Sequence, residues 1–374
     1  MIIYSLESCF SSLPHRNQVS RQPRLLIAAS GTGGHLFPAL AVAKKLNGYH
    51  IQWLGVPHRL EASVVPSCYP LHTVDLDGLQ TNSILNAAVL LVKMLKATIK
   101  VYRIINREKI QVVFTTGGYI AAPAIIAAKL ARIPVILHES NCIPGKVTRW
   151  FASWCDLVAV GFHNTQKRLK RATTQWISTP VREEFLEPQP LELDIPENVP
   201  LVVAMGGSQG AVALNKLVRR AASRILSTGA YLVHLTGSQD EDFGTFSHPR
   251  YLEMPFYDKM AALLQRANLA ISRAGASSLT ELAITRTPSI VIPYPFAADD
   301  HQFYNGQEFV NAGASLMFRQ EHITPELLAE TVIYLLQHPD KLSYMAQRAS
   351  LLASPDSANI LAEIISRFVS SSFH

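Results

Sequence analysis

A chain of 374 residues with 48% hydrophobic and 17% charged side chains is too long for one ordinary core, and this composition excludes a largely disordered polypeptide; two domains are expected. The formal charge of +6 and pI of about 9.1 point to an anionic partner. Cys9, Cys68, Cys142 and Cys155 are far apart with no CxxC spacing, which argues against a metal or disulfide framework and for a reducing compartment.

The first 22 residues lack a basic start, and Glu7 interrupts their short apolar stretch, so they read as a disordered extension and not as a signal peptide. No run of about 18 uncharged apolar residues predicts a spanning helix. From Arg24 short β-rich runs alternate with helical ones, the pattern of a parallel α/β sheet. The first strand, Leu25–Ala29, runs into Gly31-Thr32-Gly33-Gly34-His35. Leu36 replaces the third glycine of a dinucleotide fingerprint, no acid ends the strand Ile51–Gly55, and no Gly-Lys-Ser/Thr follows, so neither an NAD site nor a P-loop is expected. Pro38 fits the first turn of the next helix and sets His35 at its start, facing a cleft. A lone histidine there would read as a cap or packing residue; beside two glycines at a strand end it reads as functional.

Leu85 to Arg107 reads as one helix. Lys93, Lys96, Lys100, Arg103 and Arg107 recur on one face, either the solvated edge of a core helix or, with the apolar loop around Leu76–Leu85, an anionic-membrane surface. The strand Val112–Thr115 precedes Thr116-Gly117-Gly118-Tyr119. The strand Val135–His138 runs into His138-Glu139-Ser140-Asn141, which is either a turn with an Asn cap or a set of hydrogen-bonding and proton-accepting groups. After Leu157–Val160, the stretch Glu187–Pro200 holds four prolines and no helical period, and reads as a linker.

A second alternation follows, with strands at Leu201–Met205, Tyr231–Thr236, Leu269–Ser272, Ser289–Pro293 and Ala314–Phe318. The first ends in Gly206-Gly207-Ser208-Gln209-Gly210-Ala211. Glycine admits close backbone approach, and a helix N-terminus presents unpaired N–H groups, so each of the three turns is an anion site. In parallel sheets ligands sit beyond the carboxyl ends of the strands, and two such domains would enclose a cleft. Glu281 after Ser272-Arg273-Ala274-Gly275-Ala276 could hold ribose hydroxyls or be a solvated helical acid; the polar run Asp299–Asn305 suits a sugar pocket or a plain solvated loop.

These motifs together resemble the MurG-type transferases of peptidoglycan synthesis. The resemblance covers nearly the whole chain after Pro23 and rests on GTGGHLFPAL at Gly31–Leu40, TTGGYIAAPA at Thr115–Ala124, LHESNCIPGKVTR at Leu137–Arg149, TPVREEF at Thr179–Phe185, MGGSQGA at Met205–Ala211, SRAGASSLTELA at Ser272–Ala283 and DDHQFYN at Asp299–Asn305. It implies an α/β GT-B fold of two Rossmann-like domains around a central cleft. The N-terminal acceptor and membrane-facing domain would comprise 23–181 plus 356–374, the C-terminal donor domain 182–355.

The implied donor is UDP-N-acetylglucosamine and the acceptor undecaprenyl-diphosphate-linked N-acetylmuramoyl peptide, with inversion and a β-1,4 bond. Glu281 matches the ribose carboxylate, the Phe256-Tyr257 backbone the uracil reader, and Ser208 and Arg182 diphosphate contacts; Thr32, Gly33, Gly34 and Gln209 complete the donor set. Asn141, His301 and Gln302 match sugar contacts, with His301 where other members carry glutamine. His35, Tyr119, Gly33-Gly34 and Gly117-Gly118 match the acceptor-diphosphate and catalytic region; Glu139 lies in a His-Glu-x-Asn element with Ser140 in place of the frequent Gln. His35 is the expected base, with His138 and Glu139 as alternatives. No aspartate pair suggests a metal, and no cofactor or nucleic acid is expected. Such an enzyme works on an anionic surface at the cytoplasmic face of the inner membrane. A UDP-GlcNAc 2-epimerase is the competing enzyme class, and a nucleotide-sugar sensor the competing binding module.

Overall fold

The computed structural model describes residues 22–76, 84–207 and 210–371. The first alternation forms strands β1 (Arg24–Ala28), β2 (His50–Gly55), β3 (Leu71–Thr73), β4 (Val112–Thr115), β5 (Val135–Glu139), β6 (Leu157–Val160) and β7 (Thr174–Trp176). They make one parallel sheet in the order β3-β2-β1-β4-β5-β6-β7. The helices between them are α1 (Gly33–Lys45), α2 (Glu61–Val64), α3 (Ile84–Arg107), α4 (Ala121–Leu130), α5 (Lys146–Phe151) and α6 (His163–Arg168). β1, β4 and β6 are apolar runs because both sheet faces are covered, leaving no solvated face to impose alternation.

The second sheet contains β8 (Leu201–Met205), β9 (Tyr231–Leu235), β10 (Tyr251–Met254), β11 (Leu269–Ser272), β12 (Ser289–Val291) and β13 (Ser315–Met317), parallel in the order β10-β9-β8-β11-β12-β13. Its helices are α7 (Val212–Leu226), α8 (Met260–Arg266), α9 (Ala276–Ile284), α10 (His301–Asn311), α11 (Pro325–Leu336) and α12 (Pro339–Ser350). The expected central strands are all present. Three edge strands, β3, β7 and β10, carry no apolar run: LHT, TQW and YLEM lie largely at intermediate exposure and pair on one side only. Glu187–Pro200 holds neither helix nor strand.

The last helix, α13 (Ser357–Ser371), packs on α1. Leu361 and Ile365 join the core cluster of Leu25, Ile27 and Leu36 in the first sheet. The chain passes between cores just before Arg182, since Ile177 belongs to that cluster while Val181 and Phe185 join Leu201 and Val203 of the second.

Two details depart from the sequence reading. Helix α1 starts at Gly33, so Pro38 lies in its second turn and not its first. Proline there removes the helical bond to the Gly34 carbonyl, a cost the buried Leu36, Ala39 and Leu40 offset by packing. Of the apolar loop around Leu76–Leu85, Leu76 is itself core at 2% exposure, and 77–83 lie outside the described residues, as do residues 1–21.

Candidate active site

The carboxyl ends of β1 and β4 bring the first two glycine turns together. His35 Nδ1 lies 2.7 Å from the Thr116 carbonyl, and Thr116 Oγ1 donates back to the His35 carbonyl at 3.0 Å. A carbonyl only accepts, so Nδ1 carries the proton and Nε2 presents its lone pair. That lone pair is aimed over the second turn: a Cβ built on Gly118 would lie 4.0 Å from Nε2. Gly117 and Gly118 hold φ of +90° and +75°, a left-handed pair that side chains with a Cβ rarely adopt. Tyr119 follows, about half exposed, and Thr32 is exposed at the N-cap of α1.

The first turn has a support that the sequence did not reveal. Glu61 is fully buried and accepts from Ser30 Oγ at 2.5 Å, Val56 N–H at 2.7 Å and Gly31 N–H at 3.4 Å. A lone acid in RLEAS reads as a solvated helix residue; its partners are 5 to 31 residues away, and no local pattern marks them.

His138 and Glu139 end β5, both buried. Burial lowers the His138 pKa to about 4, against the opposing pull of the Ser178 carbonyl and with a further lowering from nearby His35, so its ring is neutral at pH 7. Its Nε2–H donates to that carbonyl at 3.1 Å, and Nδ1 lies 3.4 Å from Ser140 Oγ. Both Glu139 oxygens are engaged. Oε1 accepts from the Asn141 N–H at 3.0 Å and its Nδ2 at 3.4 Å; Oε2 accepts from the Gly145 N–H at 3.0 Å and Thr148 Oγ1 at 2.7 Å. Glu139 thus holds the turn that carries Asn141.

The second domain faces these groups. A Cβ on Gly34 would stand 3.5 Å from Ser277 Oγ, so the N-terminal turns of α1 and α9 approach each other. Glu281, on α9, has its pKa raised to about 7 by burial, partly offset by Arg182, whose Nη2 is 3.9 Å from Oε1. The Arg182 guanidinium lies over the rings of Phe37 on α1 and Phe185, at 4.9 and 5.1 Å, and pairs with Glu184 at 2.8 Å. It therefore touches both domains.

Gly207 and Gly210, at φ of +89° and +75°, bracket Ser208 and Gln209, which lie outside the described residues. A Cβ on Gly210 would sit 2.4 Å from the Thr236 carbonyl, so Gly210 itself lies against the end of β9. Phe256 is two-thirds exposed beyond β10, with Tyr257 half-buried beside it.

At the start of α10, Asp299 and Asp300 both hold φ of +53°, a backbone region that costs non-glycine residues of order 1 kcal/mol each. Arg149 pairs with Asp299 at 2.5 Å from the first domain, and Arg319 with Asp300 at 2.8 Å from the second. His301 Nδ1–H donates to the Ala298 carbonyl at 2.8 Å. Gln302 Oε1 accepts from the Tyr294 N–H at 2.9 Å, which leaves its Nε2 to donate. Among the described residues no three His, Cys, Asp or Glu side chains converge on a candidate metal site.

Two parallel sheets facing across a cleft, with glycine turns, a positioned imidazole and a carboxylate at the facing strand ends, define a glycosyltransferase of the GT-B fold. Residues 25–160 match the glycosyltransferase family 28 N-terminal domain and 201–361 its C-terminal domain. The chain belongs to that family. It is 58% identical over 346 residues to the UDP-N-acetylglucosamine--N-acetylmuramyl-(pentapeptide) pyrophosphoryl-undecaprenol N-acetylglucosamine transferase of Rippkaea orientalis, covering 92% of this chain and 99% of the relative. It is 57% identical over 342 residues to the protein of the same name from Synechocystis, covering 91% and 96%. Among solved structures, a MurG of Acinetobacter baumannii superposes with a TM-score of 0.76 at 30% identity, covering 92% of this chain and 99% of that one. A putative UDP-N-acetylglucosamine 2-epimerase of Listeria monocytogenes, at TM-score 0.67 and 15% identity over 93% and 97%, shares the fold.

Proposed function

We propose that this chain moves N-acetylglucosamine from UDP-N-acetylglucosamine to the C4 hydroxyl of the N-acetylmuramoyl unit on undecaprenyl diphosphate, with inversion. The observation that carries the mechanism is the His35 imidazole, fixed through Nδ1 with Nε2 open over the Gly117-Gly118 turn. The acceptor hydroxyl oxygen forms the new bond to C1 of the donor sugar and gives its proton to His35 Nε2. The C1–O bond to the diphosphate breaks, and its electron pair leaves with UDP. Arg182 and the N-terminus of α7 stabilise that charge. Glu281 receives the ribose hydroxyls, the Phe256-Tyr257 backbone reads the base, and Asn141, His301 and Gln302 hold the sugar. Gly33-Gly34, Gly117-Gly118 and Tyr119 cradle the acceptor diphosphate.

The lipid-linked acceptor places the reaction at a membrane, on its cytoplasmic face. Among the described residues no helix is long and apolar enough to cross one. Support for peripheral docking comes from α3, which exposes Leu91, Leu95 and Ile99 beside exposed Lys96, Lys100 and Arg103.

The test is turnover of labelled UDP-N-acetylglucosamine with and without a soluble analogue of the lipid-linked acceptor. Glycolipid and UDP formed only with acceptor support the transfer; UDP or an epimerised donor formed without it would sink the proposal. In the same assay His35→Ala lowers kcat by about 100-fold or more with donor KM little changed, as expected for loss of a general base. Near-normal turnover would remove His35 from that role.

A further inference from the structure

Asn305 on α10 is fully buried and touches both domains. Its Oδ1 accepts from the Cys142 backbone N–H at 2.8 Å, and its Nδ2 donates to the Ala274 carbonyl at 3.2 Å and to Asn141 Oδ1 at 3.1 Å. Two of these partners cannot change polarity: a backbone N–H only donates and a carbonyl only accepts. They dictate which end of the Asn305 carboxamide faces which way. Its remaining N–H then demands an acceptor from Asn141, which must offer Oδ1. The opposite end of Asn141 meets Glu139 Oε1 at 3.4 Å, an acceptor that favours the same orientation.

We propose that Asn305 is a positioning residue that sets the hydrogen-bonding polarity of Asn141, so that Asn141 presents an N–H and not a carbonyl to the donor sugar. The polarity of two backbone groups, one in each domain, is relayed through two side chains to the ligand. Cys142 and Asn141 belong to the first domain, while Ala274 and Asn305 belong to the second, so the relay is complete only when the domains are apposed as they are here. The inference rests on the proposed contact between Asn141 and the sugar.

Asn305→Asp tests it with nearly unchanged shape. A carboxylate still accepts from Cys142 but cannot donate to Asn141 Oδ1 or to the Ala274 carbonyl, so the Asn141 amide, now between two acceptors, loses the bond that holds its nitrogen toward Glu139 Oε1 and the ligand. The experiment is a double-mutant cycle in the full-length protein, measuring affinity for UDP-N-acetylglucosamine and for UDP by calorimetry. Asn305→Asp weakens UDP-N-acetylglucosamine about five- to tenfold, the size of one hydrogen bond, while UDP affinity stays within about twofold. In an Asn141→Ala background it weakens the sugar nucleotide no further.

Equal losses in both backgrounds, parallel losses for UDP, or no loss in the parent would overturn the relay. If Asn141→Ala alone binds the sugar nucleotide normally, the Asn141 contact falls and the relay with it. If Asn141→Ala loses affinity while Asn305→Asp does not, only the relay falls. Should Asn305→Asp fail to fold, Asn305→Leu, of similar shape with no group to donate to Asn141 Oδ1, enters the same cycle with the same expected outcomes.

Discussion

At Glu281 burial and an arginine act in opposite senses, and burial is the stronger, leaving its pKa at about 7. In the proposed complex only the ionised form accepts from both ribose hydroxyls. Donor KM is therefore expected to fall as pH rises from about 6 to 8, and Glu281→Gln to flatten that dependence; an unchanged slope in the variant would assign the titration elsewhere. Its sign for stability follows from the native pKa lying above the reference value of 4.5: the contribution of this group is fully present below that value and is lost as pH rises through about 7. At this scale the candidate site was partly legible. His35, the glycine turns and the 138–141 run stand out because polar or flexible residues directly after an apolar strand need a reason. Glu61 is not singled out by the sequence at all, and Asn305, though inside the polar run 299–305, acts through a partner 163 residues away that no local pattern records.

Helix α3 shows what periodicity can and cannot reveal. Its basic series was readable, and α3 runs from Ile84 to Arg107 much as expected. The structure divides its apolar residues into two sets. Ala97, Val101, Ile104 and Ile105 are core, while Leu91, Leu95 and Ile99 face solvent. Lys93 pairs with Asp75 at 3.6 Å and Arg107, itself exposed, with Glu108 at 2.8 Å; Lys96, Lys100 and Arg103 are exposed too.

Neutralising those three with glutamine is expected to weaken binding to anionic vesicles by about 1 kcal/mol per charge, most at low salt. Leu95→Ser should weaken it with little salt dependence, because apolar burial is not screened. Vesicle sedimentation at two ionic strengths distinguishes the two effects, and unchanged binding by both variants would move the docking surface off α3. The edge strands β3, β7 and β10 mark the opposite limit. They pair through backbone groups, which every residue supplies, so their side chains carry little signal.

For the molecule as a whole, the return of α13 to the first domain ties the last helix to the first core. Leu361 and Ile365 are fully buried against the β1 face, and Tyr49 Oη lies 3.0 Å from Ser366 Oγ. Leu361→Ala should cost about 2–5 kcal/mol through lost contacts and a cavity. The loss belongs to the first domain: UDP affinity, measured well below the melting transition, should stay near normal while thermal unfolding begins earlier. Equal loss of UDP affinity would mean that α13 supports the second domain instead.

The sequence by itself determined the α/β class, the central strands of both sheets and the glycine turns at their ends, because these follow from local patterns of apolar residues and backbone freedom. Tertiary structure alone decided that His35 exposes Nε2, that Glu139 is saturated by its own turn, and that Asn305 governs Asn141. Each of these depends on which donor meets which acceptor, within nine residues for Glu139 and across 81 to 164 residues for His35 and Asn305. Hydrogen-bond polarity is a property of the pair, and only the folded chain brings the pair together.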